Sequence, residues 1–188
     1  MIENFNDNFR ELCLNLKIDE RKFILGLSGG IDSMALLSLL KRFIVSNKSL
    51  KIEVFPVIID HDLRSNSSDE AKAVQNIALS LGFKTIIKKI ITKKPNGNIQ
   101  NWARKARRSI LCDIAFEFSA NLMLGHHSDD LVETIFMRSV KGSGIEGLRG
   151  MQDRMIWNDT LILRPLIFFN KRQIIDYVNS NNVIFFED

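Results

Sequence analysis

Ser28-Gly29-Gly30-Ile31-Asp32-Ser33 is the stretch whose residue types point most directly to chemistry. Two adjacent glycines let the backbone turn tightly and approach a ligand, and the apolar periodicity beginning at Ile31 predicts a helix over 31–45. Amides at a helix start are unpaired and lie at the positive end of its dipole, so this loop is suited to an anion. The hydroxyls of Ser28 and Ser33 add donors. The loop lacks the lysine of GxxxxGK[ST], which disfavours an ordinary kinase or P-loop NTPase. Asp32 sharpens the reading. A carboxylate beside a bound phosphate repels it unless a cation intervenes, so Mg2+ is expected with Asp32 among its ligands. The bland alternative is a glycine-rich helix cap with no ligand.

A second constellation is Gly125-His126-His127-Ser128-Asp129-Asp130, followed by Glu133. Asp130 and Glu133 are three apart on a predicted helix and share a face, where they could hold Mg2+ or accept a proton. First-turn acids and a capping aspartate are the structural alternative, although they leave the histidine pair unexplained. Neither HExxH nor another zinc spacing occurs. Arg104, Arg107 and Arg108 form a stripe about 100° wide on a third predicted helix, suited to phosphate, with Trp102 and Lys105 on the other side. Asn101 and Trp102 could touch a base or simply cap and pack. Gly142-Ser143-Gly144-Ile145-Glu146-Gly147 spells GxGxxG, but it follows a predicted helix rather than a strand, so it is rejected as a dinucleotide fingerprint and read as a glycine loop.

The elements that must position these residues follow from periodicity. Helices are predicted over 4–16, 31–45, 68–81, 99–118, 129–140 and 171–179, and strands over 23–27, 52–59, 84–91, 121–124 and 161–163, with a turn at Pro95-Asn96-Gly97. This alternation predicts an α/β fold, a Rossmann-like open parallel sheet with helices on both faces. In such sheets ligands lie beyond the carboxyl ends of the strands. The serine-glycine loop, Asp60-His61-Asp62 and Gly125 to Asp130 all fall there, as do all three histidines. Pro56 is awkward inside a strand, because it cannot donate to a ladder.

The chain has 188 residues, 45% hydrophobic and 26% charged, which suits one globular domain with a real core and excludes a disordered tail. No apolar run approaches a bilayer span and the N-terminus has no export-signal pattern, so a cytoplasmic protein is expected. Cys13 and Cys112 form no CxxC and are expected as buried thiols. Net charge is +4, yet residues 71–112 hold ten Lys and Arg and no Asp or Glu. That footprint suits a polyanion, or a solvated basic surface.

On these motifs the chain resembles the N-terminal catalytic domain of the tRNA(Ile)-lysidine synthases, members of the PP-loop ATP pyrophosphatase superfamily. SGGIDS at 28–33 matches the superfamily loop and alone would equally fit a GMP synthetase, an NAD synthetase or a tRNA thiolase. IDHDLR at 59–64, NIQNWARKARR at 98–108, GHHSDDLVET at 125–134, GSGIEGLRGM at 142–151 and RPL at 164–166 are more specific. Asp62 stands where the family commonly has glycine. The chain ends inside a motif that the family continues, so the resemblance implies a truncated catalytic domain over 1–188.

The resemblance implies a ligase that uses ATP and Mg2+ to join L-lysine to the wobble cytidine of tRNA(Ile) with a CAU anticodon, releasing AMP and pyrophosphate, and it is compatible with a homodimer. It implies nucleotide contacts from Ser28, Gly29, Gly30, Ile31, Asp32, Ser33, His61, His126 and His127. Catalysis is implied for Asp32, Asp130 and Glu133, with Asp32 and Asp130 on the metal. Arg104, Arg107 and Arg108 are implied to contact tRNA or substrate phosphates. Competing readings are adenylation with another nucleophile, as in tRNA thiolation or amidation of a small acid, and a non-catalytic ATP-binding module.

Overall fold

The computed structural model describes residues 1–17, 20–60, 67–91, 95, 97–140 and 152–187. His61, Asp62 and the glycine loop 142–147 lie outside the described residues. In chain order the elements are α1 (Ile2–Leu14), β1 (Lys22–Gly26), α2 (Ile31–Ser46), β2 (Glu53–Asp60), α3 (Ser67–Ser80), β3 (Ile86–Lys89) and α4 (Ile99–Glu117). They continue through β4 (Asn121–Met123), α5 (Ser128–Val140), β5 (Arg154–Trp157), β6 (Thr160–Leu163) and α6 (Lys171–Ser180). The sheet order is β3-β2-β1-β4-β6-β5, parallel except for β5 against β6. The chain winds outward from β1 through β2 to β3, then returns to lay β4 on the other side of β1. The order therefore reverses between β1 and β4, and the predicted open sheet has its switch point there.

Side-chain alternation along the inner strands splits the core in two. Phe23, Leu25 and Leu27 face α1, α2, α3 and α6 together with Val54 and Ile58. Ile24, Val57, Ile59, Leu122 and Ile162 face α4, where Leu111, Cys112, Ile114 and Ala115 meet them. Strands covered on both faces read as continuous apolar runs, as these do. On the first face α1 is held by rings. Phe9 lies 5.0 Å edge-on from Phe43, 5.9 Å from Phe23 and 5.5 Å from Phe5 between centroids. Cys13 and Cys112 are both buried, one in each core layer. Among the described residues no helix is long and apolar enough to cross a membrane.

Two departures from expectation have local causes. Pro56 is buried in β2, which is an interior strand. The Val57 carbonyl points to β1, accepting from the Leu27 N–H at 2.9 Å, so the neighbouring residue's nitrogen points toward β3. β3 begins its pairing only at Val57 opposite Ile86, and the missing donor falls just past its end. The second departure is β5, which was not predicted. It pairs with β6 through Asn158 and Asp159, whose φ of 45° and 58° make the two-residue connection that suits a right-twisted hairpin.

Phe9→Ala removes a ring at the centre of the α1 seam and is expected to cost about 3–5 kcal/mol in urea unfolding. A loss below about 1 kcal/mol would mean that α1 is not part of the cooperative core.

Candidate functional site

The carboxyl ends of β1, β2 and β4 open into a cavity of about 730 Å3 that straddles the sheet rim, with α2 from one face and α4 from the other. The Ser28–Ser33 loop forms one wall. Gly30 is the N-cap of α2, and the first helical bond runs from the Met34 N–H to the Gly30 carbonyl at 3.1 Å. The amides of Ile31, Asp32 and Ser33 therefore precede the ladder, as an anion site requires. Serine hydroxyls fix the loop internally. Ser33 Oγ donates to the Gly30 carbonyl at 2.9 Å, the Gly30 N–H donates to Ser28 Oγ at 3.3 Å, and the two hydroxyls are 3.1 Å apart.

Both close approaches in the loop require glycine. Gly29 has a φ of 91°, and a Cβ there would lie 2.6 Å from Val74 Cγ2. At Gly125 a Cβ would meet the backbone of Asp32 and Ser33 at 3.3 Å, so β4 is pressed against the start of α2. The Gly29 carbonyl accepts from the Phe186 N–H at 3.0 Å, which lays the segment 185–187 along the cavity.

The carboxylates have unequal surroundings. Asp32, in the first turn of α2, receives Lys171 Nζ at 2.6 Å on Oδ1 and 2.8 Å on Oδ2. Lys171 is the first residue of α6, and the sequence reading had given it no site role. In this structure the charge of Asp32 is balanced by Lys171. His127 is buried, with Nε2 3.7 Å from Asp32 Oδ1 and 3.6 Å from Asp130 Oδ2. Asp130 Oδ2 also accepts the His127 N–H at 2.9 Å, and Asp129 Oδ2 accepts the Lys171 N–H at 3.1 Å. Two of the acids at α5 therefore do capping work, one for its own helix and one for α6. Asp130 nevertheless lines the cavity with Asp32. Glu133 is exposed and stands outside the lining, so the structure does not bring it to the other two. Among the described residues no three His, Cys, Asp or Glu side chains cluster as a metal cage.

Arg104, Arg107 and Arg108 of α4 line the same cavity, with Arg108 4.3 Å above the ring of Trp157 on β5. Arg164 is buried next to this stripe and donates to the Gln152 carbonyl at 2.8 Å. Burial first, and then mutual repulsion among Arg104, Arg108 and Arg164, pushes the Arg108 and Arg164 guanidinium pKa values down. His126 lines the cavity between these cations and Asp130. Burial, then the Arg164 charge, pushes its imidazole down to about 4, so it is neutral at physiological pH. Asp60, in the predicted IDHDLR stretch but not among the expected site residues, is buried on the lining. It accepts from Ser68 Oγ at 2.8 Å and lies 3.6 Å from Lys89 Nζ.

Two outcomes follow. Gly29→Ala should lower stability by about 1–3 kcal/mol in urea unfolding, with a double-mutant cycle showing that Val74→Ala relieves part of the clash. A His126 pKa depressed to about 4, against about 6.5 for a free imidazole, gives stability present above pH 6.5 and lost as pH falls toward 4. Urea midpoints across that window should fall more steeply for wild type than for His126→Gln, and parallel curves would refute the burial of that imidazole.

Comparison with known proteins gives the family. The PP-loop domain family profile matches residues 1–188. The tRNA(Ile)-lysidine synthase of Orientia tsutsugamushi (strain Boryong) is 36% identical over 168 residues, spanning 89% of this chain and 37% of that protein. That of Thermosipho africanus (strain TCF52B) is 33% identical, spanning 100% of this chain and 43% of that protein. The chain thus covers less than half the length of these relatives. Among solved structures, a U34-tRNA thiolase, NcsA from Methanococcus maripaludis, superposes with a TM-score of 0.79 at 18% identity, over 99% of this chain and 66% of that one. An NAD+ synthetase from Burkholderia pseudomallei superposes at 0.56 and 13%, over 95% and 71%. These two share the fold. With a serine-glycine loop at the switch point and a family match running from the first residue to the last, this chain belongs to the PP-loop domain family.

Proposed function

We propose that this chain carries out ATP-dependent ligation of L-lysine to C2 of the wobble cytidine in tRNA(Ile) with a CAU anticodon, through an adenylated cytidine. The observation that carries the reading is the two-sided cavity, in which the anion-binding loop and the Asp32 and Asp130 carboxylates share one space with Arg104, Arg107 and Arg108. ATP binding agrees with the family, and the tRNA substrate is suggested by the names of the relatives.

Cytosine O2 attacks the α-phosphorus and the bond to the β-phosphate oxygen breaks, releasing pyrophosphate. The amine of lysine then attacks C2, and the C2–O bond breaks to release AMP. The first step develops charge on the phosphates. The amides of residues 31–33 are preorganised to meet it, and the hydroxyls of Ser28 and Ser33 would turn to it from the bonds they make within the loop. The second step needs an amine that has lost a proton, from a group whose ordinary pKa is near 10.4. Asp130 is assigned to hold that amine and Asp32 to take its proton. Glu133 is assigned to the incoming substrate at the mouth, given its exposure. His126 stays uncharged against the nucleotide, and His127 steers the two aspartates. His61, outside the described residues, is proposed to line the nucleotide pocket. The arginine stripe would grip RNA phosphates.

Mg2+ arriving with ATP suits the oxygen donors of Asp32 and Asp130, two hard carboxylates that leave most positions to phosphate and water. It would supply charge neutralisation on the phosphates. Thiolation by a cysteine of this chain is disfavoured by two buried thiols in separate core layers. Burial pushes Cys13 up to about 12 and Cys112 up as well, keeping both protonated.

The test supplies labelled lysine, ATP and an isoleucine tRNA transcript, with CAU or an altered anticodon. Label should stay on RNA only with CAU, accompanied by AMP and pyrophosphate. ADP as the product, or no label on RNA, overturns the reading. Asp130→Asn keeps an acceptor for the His127 amide and should still abolish lysine transfer. Near-normal turnover would refute the role given to Asp130.

A further inference from the structure

We propose that Lys171 is a triphosphate-binding residue held in waiting on Asp32, and that an arriving nucleotide takes its ammonium from the carboxylate. The inference rests on the ATP-binding part of the function proposed above and extends it to a residue which that function did not use.

Three features carry it. First, the backbone of Lys171 is fixed in place. Asn170 and Gln173 form a reciprocal cap at 2.9 Å each, and the Lys171 N–H is held by Asp129. α6 is moored on α2 by the 2.8 Å contact of Ser38 Oγ with Tyr177 OH and by Arg42 donating to Asn181 at 3.0 Å. Second, the side chain is 37% exposed and lines the cavity, so the flexible stem leaves its ammonium able to turn within it. Third, its partner stands in the first turn of α2, whose preceding amides form the anion site, so a phosphate bound there lies next to the ammonium.

Charge decides the direction of exchange. With Lys171 on Asp32 the loop presents no net negative charge to an incoming polyanion. Once bound, a triphosphate offers several negative oxygens against one carboxylate, and the ammonium is drawn toward them. Asp32 is then released to act on its own. In the same position the ammonium also offsets charge on departing pyrophosphate.

The test is calorimetric binding of ATP and of inorganic pyrophosphate, without tRNA or lysine, to the full chain and to Lys171→Met, Lys171→Arg, Asp32→Asn and the double variant Asp32→Asn/Lys171→Met. Each is checked for folding by thermal melting. Lys171→Met should weaken both ligands about tenfold or more, Lys171→Arg should stay within about threefold of wild type, and the double variant should remain as weak as Lys171→Met. Wild-type affinity in Lys171→Met overturns the proposal, and so does recovery in the double variant, which would show that Lys171 only neutralises Asp32. Should Lys171→Met fail to fold, the double variant is compared with Asp32→Asn: binding about tenfold weaker than in Asp32→Asn supports the proposal and equal binding overturns it. A wild-type chain that binds neither ligand overturns the proposal and ATP use together. Binding as expected but no label on tRNA overturns the lysine-ligation reading alone.

Discussion

A carboxylate in the first turn of a helix whose start is proposed to receive phosphate creates a local conflict of charge. In this chain the conflict is resolved by a two-pronged ion pair between Asp32 and Lys171, at 2.6 and 2.8 Å. Much of the site's architecture serves that contact. α6 docks on α2, Asp129 caps α6, and His127 sits between Asp32 and Asp130. Three helix starts meet at one sheet rim, and their positive ends are balanced by aspartates, of which Asp129 and Asp130 also cap. The acidity of this region therefore has a structural origin as well as a chemical one, and the two uses coexist in Asp130.

Across the rim the charge inverts. Arg104, Arg107 and Arg108 line the cavity while Arg164 stands buried beside them, and the neighbouring acids are few. The Trp157 ring beneath Arg108 attracts its guanidinium without neutralising it. The cavity therefore offers anions two regions, the helix-start amides beside the Asp32–Lys171 pair and the arginine stripe opposite.

The fold was legible in the sequence almost element by element, because buried parallel strands and amphipathic helices write different periods into the chain. The predicted helices over 31–45 and 171–179 and strand over 52–59 fall within one residue of the observed bounds. β5 was missed because four residues on an antiparallel edge carry little period. The Asn158-Asp159 pair, between Ile156-Trp157 and Thr160-Leu161, was the available signal. In the site, the loop, the histidines and the arginine stripe could be read because each is local. Lys171 could not be, since its partner is 139 residues away and a lone lysine after a loop is usually solvent-facing. Glu133 looked equivalent to Asp130 by helical spacing. The docking of α5 turns only Asp130 inward, which spacing alone cannot show.

The Asp32 to Lys171 contact and the Phe186 to Gly29 bond both join the front of the chain to its far end. During synthesis on the ribosome, α2 emerges long before α6, so the nascent loop carries its aspartate uncompensated and its glycine carbonyl unclaimed. The loop and its counter-charge are therefore assembled from segments far apart in sequence, and the pair exists only once α6 has docked on α2.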